Sequence, residues 1–198
     1  DEEGFIGDPD SKERNKAIQN HLKWMEAAKH LDCHSIRVNA FSKGNPEEQN
    51  KLAAEGLRIL AEHAEKYDLN VLIENHGGMS SNADWLVETI KLADHKRIGT
   101  MVDFDNFTYS DEFIWGDGKV YDRYEGVKKL MPYAKSVSAK TYDFDSEGNE
   151  TTIDYNRMLN IVEESGYTGH ISVEYEGHEL SEEEGIMATK ALIEKHIQ

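Results

Sequence analysis

Five short apolar runs in this chain each finish in polar side chains with the means to do chemistry. They are Ser35-Ile36-Arg37-Val38-Asn39, Val71-Leu72-Ile73-Glu74-Asn75-His76, Ile98-Gly99-Thr100-Met101-Val102-Asp103, Ser136-Val137-Ser138-Ala139-Lys140 and Ile171-Ser172-Val173-Glu174-Tyr175-Glu176. Side chains two apart on a strand share a face. Arg37 with Asn39, Glu74 with His76, Ser138 with Lys140, and Glu174 with Glu176 therefore point the same way, next to Asp103. Charged groups at the ends of apolar strands are costly to bury unless they meet partners or a ligand. Glu74, Asp103 and Glu174 are carboxylates from three different runs. Brought to one spot, they cannot all stay ionised without a counter-cation. A hard divalent ion, Mg²⁺ or Mn²⁺ rather than Zn²⁺, takes oxygen ligands of this kind. Lys140 could supply part of the compensation instead, or one carboxylate could be protonated or paired with Arg37 and no metal bound. Crowded carboxylates also have the shifted pKa values that general acid–base chemistry needs.

The elements that must hold these groups alternate regularly. An apolar period of 3.6 over residues 12–31, with Ile18, Leu22, Met25 and Leu31 on one face, predicts a helix before the first strand. Asn45-Pro46-Glu47-Glu48 reads as a second helix start, with Pro in the first turn and acids at the positive end of the dipole. Its apolar stripe is Leu52, Leu57, Leu60 and Ala64, running up to Tyr67. Ser81 with Asp84 reads as a capping box ahead of Trp85, Leu86 and Ile90. A long aromatic loop follows Asp103, carrying Phe104, Phe107, Tyr109, Phe113, Trp115 and then Gly116-Asp117-Gly118. Helices are expected over 121–134 and 153–165, and Ser181 with Glu184 caps the last one.

Such β-then-α alternation implies a parallel sheet with helices outside it. A doubly wound sheet usually carries a Gly-rich phosphate loop, and no first turn here reads G-x-G-x-x-G. The fold class expected is therefore an α/β (β/α)8 TIM barrel, whose strand ends converge on the axis and form the active face. A closed barrel needs eight strands and about 250 residues. Residues 1–198 are accordingly expected to be a single domain, the carboxy-terminal part of such a barrel, with about five of the eight βα units present.

The set Ile73-Glu74-Asn75-His76, Val102-Asp103-Phe104-Asp105-Asn106, Ser138-Ala139-Lys140 and Val173-Glu174-Tyr175-Glu176-Gly177 resembles the xylose isomerase-like TIM-barrel superfamily of sugar isomerases and epimerases. In that family four late strands supply Glu, Asp, His (sometimes Gln) and Glu to one divalent metal, and the two Glu residues move protons. The resemblance implies Glu74, Asp103 and Glu174 as metal ligands and Glu74 and Glu174 as catalytic residues. It also implies that the family's first strands would precede Asp1. The family commonly has His-x-Lys-Asp on the third of these strands, whereas this chain has Ser138-Ala139-Lys140-Thr141. Ser is a poor metal ligand; Lys140 survives the change and could bind a substrate hydroxyl or an enediolate oxygen. The function implied is a carbohydrate isomerase or epimerase acting on a ketose, aldose or inositol-like substrate. A keto-sugar lyase or hydrolase would begin with the same proton abstraction. A sugar-binding protein without catalysis would suit the absent His.

His76 is a further candidate for acid–base or substrate contact, or else a structural His. Arg37, Asn39 and Asn106 are the substrate-binding candidates, although Arg37 could equally brace the carboxylates. Glu176 could orient its neighbours or start a loop. The aromatic loop reads as a lid with sugar-stacking rings, in preference to packing.

Composition bounds the partners. The chain has 198 residues, 38% hydrophobic and 31% charged, enough for a sizeable core. A net charge of −17 argues against a nucleic-acid partner and against an anionic membrane surface, and suits a small, mostly neutral substrate, although a local cationic site could still hold an anion; the resemblance implies that this partner is a small sugar. The same charge, with no His-rich cluster, disfavours a nuclease of the related apurinic-site type. Nothing in the chain excludes a homo-oligomer. The single cysteine, Cys33, is expected to be an inert, partly buried thiol and allows no internal disulfide. A cytoplasmic location is the expectation, with a secretory signal left open because the chain opens without Met.

Overall fold

The computed structural model describes residues 2–112, 115 and 118–196. The elements run α1 (Ser11–His30), β1 (Ser35–Val38), α2 (Pro46–Glu65), β2 (Asn70–Glu74), α3 (Ala83–Ala93), β3 (Ile98–Asp103), β4 (Thr108–Tyr109), β5 (Lys119–Val120), α4 (Arg123–Leu130), β6 (Ala134–Thr141), α5 (Tyr155–Glu164), β7 (Ile171–Tyr175) and α6 (Glu182–His196). Strands β1, β2, β3, β6 and β7 form one parallel sheet in that spatial order. Spatial order follows chain order, so the winding never reverses as a doubly wound sheet must. The result is an open, curled arc of a (β/α) barrel, with β1 and β7 at its edges. The small hairpin β4–β5 is antiparallel and separate.

The central strands β2 and β3 are buried on both faces, whereas the edge strands β1 and β7 are only partly covered. Val71, Leu72 and Ile73 of β2 are buried, as are Val102 of β3 and Val137 and Ala139 of β6. Helices pack on the outside and against their chain neighbours, with Leu57, Leu60 and Ala64 of α2 and Leu86 and Ile90 of α3 in the shared core. Removing these side chains from water is the main force holding the layers together. The Asn45–Glu48 capping box starts α2 as expected, and Ser181 with Glu184 exchange the same reciprocal bonds at α6. Among the described residues no helix is long and apolar enough to cross a membrane.

Several local expectations are corrected. The cap of α3 is Asn82, whose carbonyl oxygen accepts from the amides of Asp84 and Trp85. The Ser81 hydroxyl instead accepts from the amide of Gly77, in the turn after β2. Leu31 follows α1 as its C-cap and is 71% exposed, outside the stripe that buries Ile18 and Met25. Cys33 is exposed rather than partly buried, because it lies in the turn before β1. The expected helix over 121–134 ends at Leu130 and tightens into a 3₁₀ turn at Met131–Tyr133, where Pro132 cannot continue an α-helix. The aromatic loop divides: Phe104 and Phe107 are core residues rather than lid rings, while Trp115 is 59% exposed. Phe113, Gly116 and Asp117 lie outside the described residues.

Before α1, the chain lies alongside the segment that follows β1. The amide of Gly7 donates to the Phe41 carbonyl at 3.0 Å, and Ile6 is buried against α2. That contact needs Gly56, since a Cβ there would fall 2.0 Å from the Ile6 carbonyl oxygen. Gly56→Ala should destabilise the protein by about 1–3 kcal/mol, seen as a lower urea midpoint; an unchanged midpoint would contradict the close approach.

His21 on α1 is 8% exposed, with Nδ1 2.7 Å from the Ala17 carbonyl. Burial pushes its imidazole below the ordinary 6.5, outweighing that hydrogen bond and nearby Glu3. A depressed folded value means the unfolded chain takes up the proton first. The stability from neutral His21 is therefore present above pH 6.5 and lost as pH falls below it. Urea titrations at about pH 7.5 and about pH 5.5 should show wild type losing stability relative to His21→Phe on acidification; parallel losses would refute it.

Candidate active site

Strand register brings the polar ends together. Asp103 on β3 pairs with Ser138 on β6, and Lys140 on β6 pairs with Glu174 on β7. Residues paired in a parallel ladder point to the same side, so Asp103, Ser138, Lys140 and Glu174 face one space. Glu74 ends β2 opposite Met101, which shares a face with Asp103 two residues on. One ligand oxygen from each of Glu74, Asp103 and Glu174 lies within 4.8 Å of the others.

Each carboxylate has its own environment. Asp103 is 0% exposed, and its Oδ1 accepts from the amides of Asp105 (2.8 Å) and Asn106 (2.9 Å). Its Oδ2 has no hydrogen bond among the described residues, and Lys140 Nζ stands 3.5 Å away. Burial pushes the Asp103 carboxyl well above the ordinary range, against the pull of Lys140. Glu74 is buried beside Arg37, Nε to Oε2 at 3.0 Å, and burial outweighs that cation to push the carboxyl up to about 7. For Glu174 burial also pushes upward, but the Ser138 hydroxyl, donating at 2.6 Å, and the Lys140 charge win and hold it below its ordinary value.

Lys140 is 2% exposed. Its ammonium donates to Asn106 Oδ1 at 3.0 Å and lies 3.3 Å from Glu174 and 3.2 Å from Glu176. Desolvation disfavours its charge, yet Asp103, Glu174 and Glu176 more than compensate and raise its pKa. Asn106 also reaches Glu74, Nδ2 to Oε1 at 3.5 Å, and so links the lysine to the β2 carboxylate. Glu176 continues the ladder past β7, its amide donating to the Thr141 carbonyl.

His76 is held beyond β2 by a turn in which Gly77 and Gly78 both adopt positive φ, 77° and 54°, conformations that favour glycine. The turn brings the Ser80 hydroxyl to the His76 amide at 3.1 Å. His76 Nδ1 lies 3.3 Å from Asn39 Oδ1, which also accepts from Arg37 at 3.0 Å. Burial, with help from Arg37 and Lys140, pushes the His76 imidazole down to about 4, so it is neutral near pH 7. The structure thus gathers Arg37, Asn39, Glu74, His76, Asp103, Asn106, Lys140 and Glu174 at one end of the sheet.

Strand-face alternation does not reveal the supporting roles of Asn75, Asp105, Arg123 and Tyr142. Asn75 points away from its neighbours Glu74 and His76. Its amide donates to the Asp103 carbonyl (3.0 Å) and accepts from the Asp103 amide (2.9 Å), fastening β2 to β3. The signal was a polar residue out of phase at a strand end. Asp105 is held by Arg123 at 2.9 Å and accepts from the Tyr142 hydroxyl at 2.5 Å. Nothing local in the sequence pairs those three. Asp105, Asn106, Tyr142 and Trp115 line a cleft of about 200 Å³ over this end of the sheet.

A family model described as the xylose isomerase-like TIM barrel matches residues 3–196. Over 49 residues the chain is 43% identical to the C-glycoside deglycosidase alpha subunit of Arthrobacter globiformis, a stretch covering 25% of this chain and 14% of that protein. The chain thus spans only a small part of that curated relative. The fold matches a 3-keto-D-glucoside 4-epimerase from E. coli with a TM-score of 0.72 at 18% identity, covering 96% of this chain and 75% of the other. It matches the IOLI protein, solved with a bound zinc atom, with a TM-score of 0.74 at 21% identity, over 98% and 74% of the two chains. At these identities the structural matches show a common fold.

The buried ammonium makes a clear demand. Lys140→Met leaves Asp103 and Glu174 without their counter-charge and should cost about 3–5 kcal/mol in urea unfolding, the usual penalty for orphaning a buried partner. A stability unchanged by the substitution would show that Lys140 does not hold the cluster.

Proposed function

Because the chain belongs to the xylose isomerase-like TIM-barrel family, we propose that it is a carbohydrate isomerase or epimerase that exchanges a proton on a carbon next to a carbonyl. The observation that carries this reading is two Glu side chains from β2 and β7 meeting around Asp103 and Lys140. Glu74 and Glu174 approach from different strands, so one can remove a proton while the other returns one across the substrate. Lys140, donating from between them, stabilises the enediolate oxygen that forms when the proton leaves. Neutral His76, Arg37, Asn39 and Asn106 bind and orient sugar hydroxyls. The substrate is a small sugar of the ketose, aldose or inositol-like kind.

The donor set also suits a divalent ion. Asp103 Oδ2 is buried without a hydrogen bond among the described residues, Glu74 Oε2 faces Arg37 Nε at 3.0 Å, and the three carboxylates converge within ligand range. Glu74, Asp103 and Glu174 would hold it, with Mg²⁺ or Mn²⁺ favoured by an all-oxygen shell. When bound, such an ion supplies Lewis-acid polarisation of a sugar oxygen. Ser138 stands where relatives commonly offer His, and its hydroxyl is engaged with Glu174.

A second reading, elimination from a keto-sugar, draws on the 43% identity to a deglycosidase subunit over 49 residues. It shares the first proton abstraction and differs in expelling a β-substituent.

Incubation of the full-length protein and Mn²⁺ with a ketose and keto-glycoside panel in D₂O separates these readings. Deuterium entering next to the carbonyl without elimination is the expected result, and aglycone release would favour the lyase. Glu74→Gln and Glu174→Gln should each slow exchange by about 100-fold or more. Sugar binding that survives both substitutions, with no exchange anywhere, would mean a binding protein instead.

A further inference from the structure

A second cavity, of about 450 Å³, shares Trp115 with the cleft lined by Asp105, Asn106 and Tyr142. Phe5, Phe41, Met79 and Trp115 supply its apolar wall, and Trp115 lines both spaces. Trp115 meets His76 edge-on with ring centroids 4.6 Å apart, and meets Phe41 at 6.3 Å and 87°. Phe41 in turn meets Phe5 at 5.5 Å and 64°. A continuous row of rings therefore leads from the sugar-binding candidates His76 and Asn39 outward into this cavity.

The side-chain donors Lys43, Gln49 and Ser42 at the cavity are already engaged. Lys43 Nζ holds Asp8 at 2.7 Å, and the Gln49 amide donates to the carbonyls of Gly44 (2.8 Å) and Asp111 (3.1 Å). The Ser42 hydroxyl donates to the Gly7 carbonyl at 2.5 Å. A second sugar would need free donors and acceptors there, whereas a flat apolar ring needs only the aromatic wall. Asp111 and Glu112 put negative charge at the rim and disfavour an anionic occupant.

We propose that this cavity binds the uncharged aromatic aglycone of a glycoside whose sugar ring lies over Glu74 and Glu174. The proposal rests on the sugar-enzyme reading above and extends its substrate class to sugars that carry an aryl aglycone. Trp115 sits at the junction, where it contacts the aglycone next to its bond to the sugar.

Isothermal titration of the full-length protein with p-nitrophenyl and methyl β-D-glucopyranosides tests this. The aryl glycoside should bind on the order of tenfold more tightly than the methyl glycoside. Trp115→Ala should bring that preference close to unity, the aryl glycoside losing more affinity than the methyl glycoside. Phe41→Leu, which keeps the site apolar while removing a ring, should reduce it in the same direction. No preference in wild type, whether both glycosides bind alike or neither binds, overturns the proposal, as does a preference that persists in both variants. Deuterium exchange with free ketoses reports on the catalytic reading separately. Exchange without an aryl preference sinks only the aglycone assignment, and an aryl preference without exchange sinks only the isomerase reading.

Discussion

Asp103 has no contact with solvent, yet it sits at the centre of a group of acids. Moving a carboxylate out of water costs several kcal/mol even after relaxation, and a second carboxylate close by adds to that cost. The compensation comes from one ammonium, Lys140, equally withdrawn from solvent and shared among Asp103, Glu174 and Glu176. Two backbone amides on Asp103 Oδ1 and the Ser138 hydroxyl on Glu174 complete it. The arrangement works only if β3, β6 and β7 are adjacent, parallel and in register. Electrostatics and topology are here a single constraint.

The barrel arc meets that constraint with strands that bring Glu74, Asp103, Lys140 and Glu174 together at their carboxyl ends. Along each strand, burial of Val, Ile and Leu fixes which residues face inward, and a slip by one position would turn Lys140 or Glu174 to the other side. Asn75 adds a lock between β2 and β3 at the level of the site. The loops then place further side chains around the strand ends: the Gly77-Gly78 turn presents His76, and Arg123 from α4 holds Asp105 next to Tyr142.

Where the resemblance to the xylose isomerase-like family leads one to expect a His, this chain has Ser138. A serine hydroxyl keeps a donor for Glu174 but lacks the imidazole lone pair that would reach a metal. The carboxylates here lean instead on the Ser138–Glu174 bond and on Lys140. The ring row from His76 to Phe5 gives the polar floor an apolar flank, a combination suited to a molecule that is sugar at one end and aromatic at the other.

The period-2 pattern and the β-then-α alternation were enough to identify the barrel class and the inward pairs Glu74/His76, Ser138/Lys140 and Glu174/Glu176. Both signals are local, set by side-chain alternation along a strand and by apolar stripes along helices. The motif at those strand ends was legible for the same reason, as were the Asn45–Glu48 and Ser181–Glu184 caps. Tertiary structure alone decided which of the available countercharges each acid receives: Arg37 for Glu74, Lys140 for Asp103 and Glu174, Arg123 for Asp105. It alone divided the aromatic loop, burying Phe104 and Phe107 while leaving Trp115 beside His76. It also moved the α3 cap to Asn82 and turned Ser81 toward Gly77. Alternation records only which face a residue takes. Partners, burial depth and pKa depend on distances between segments far apart in the chain, and no spacing within one segment encodes those.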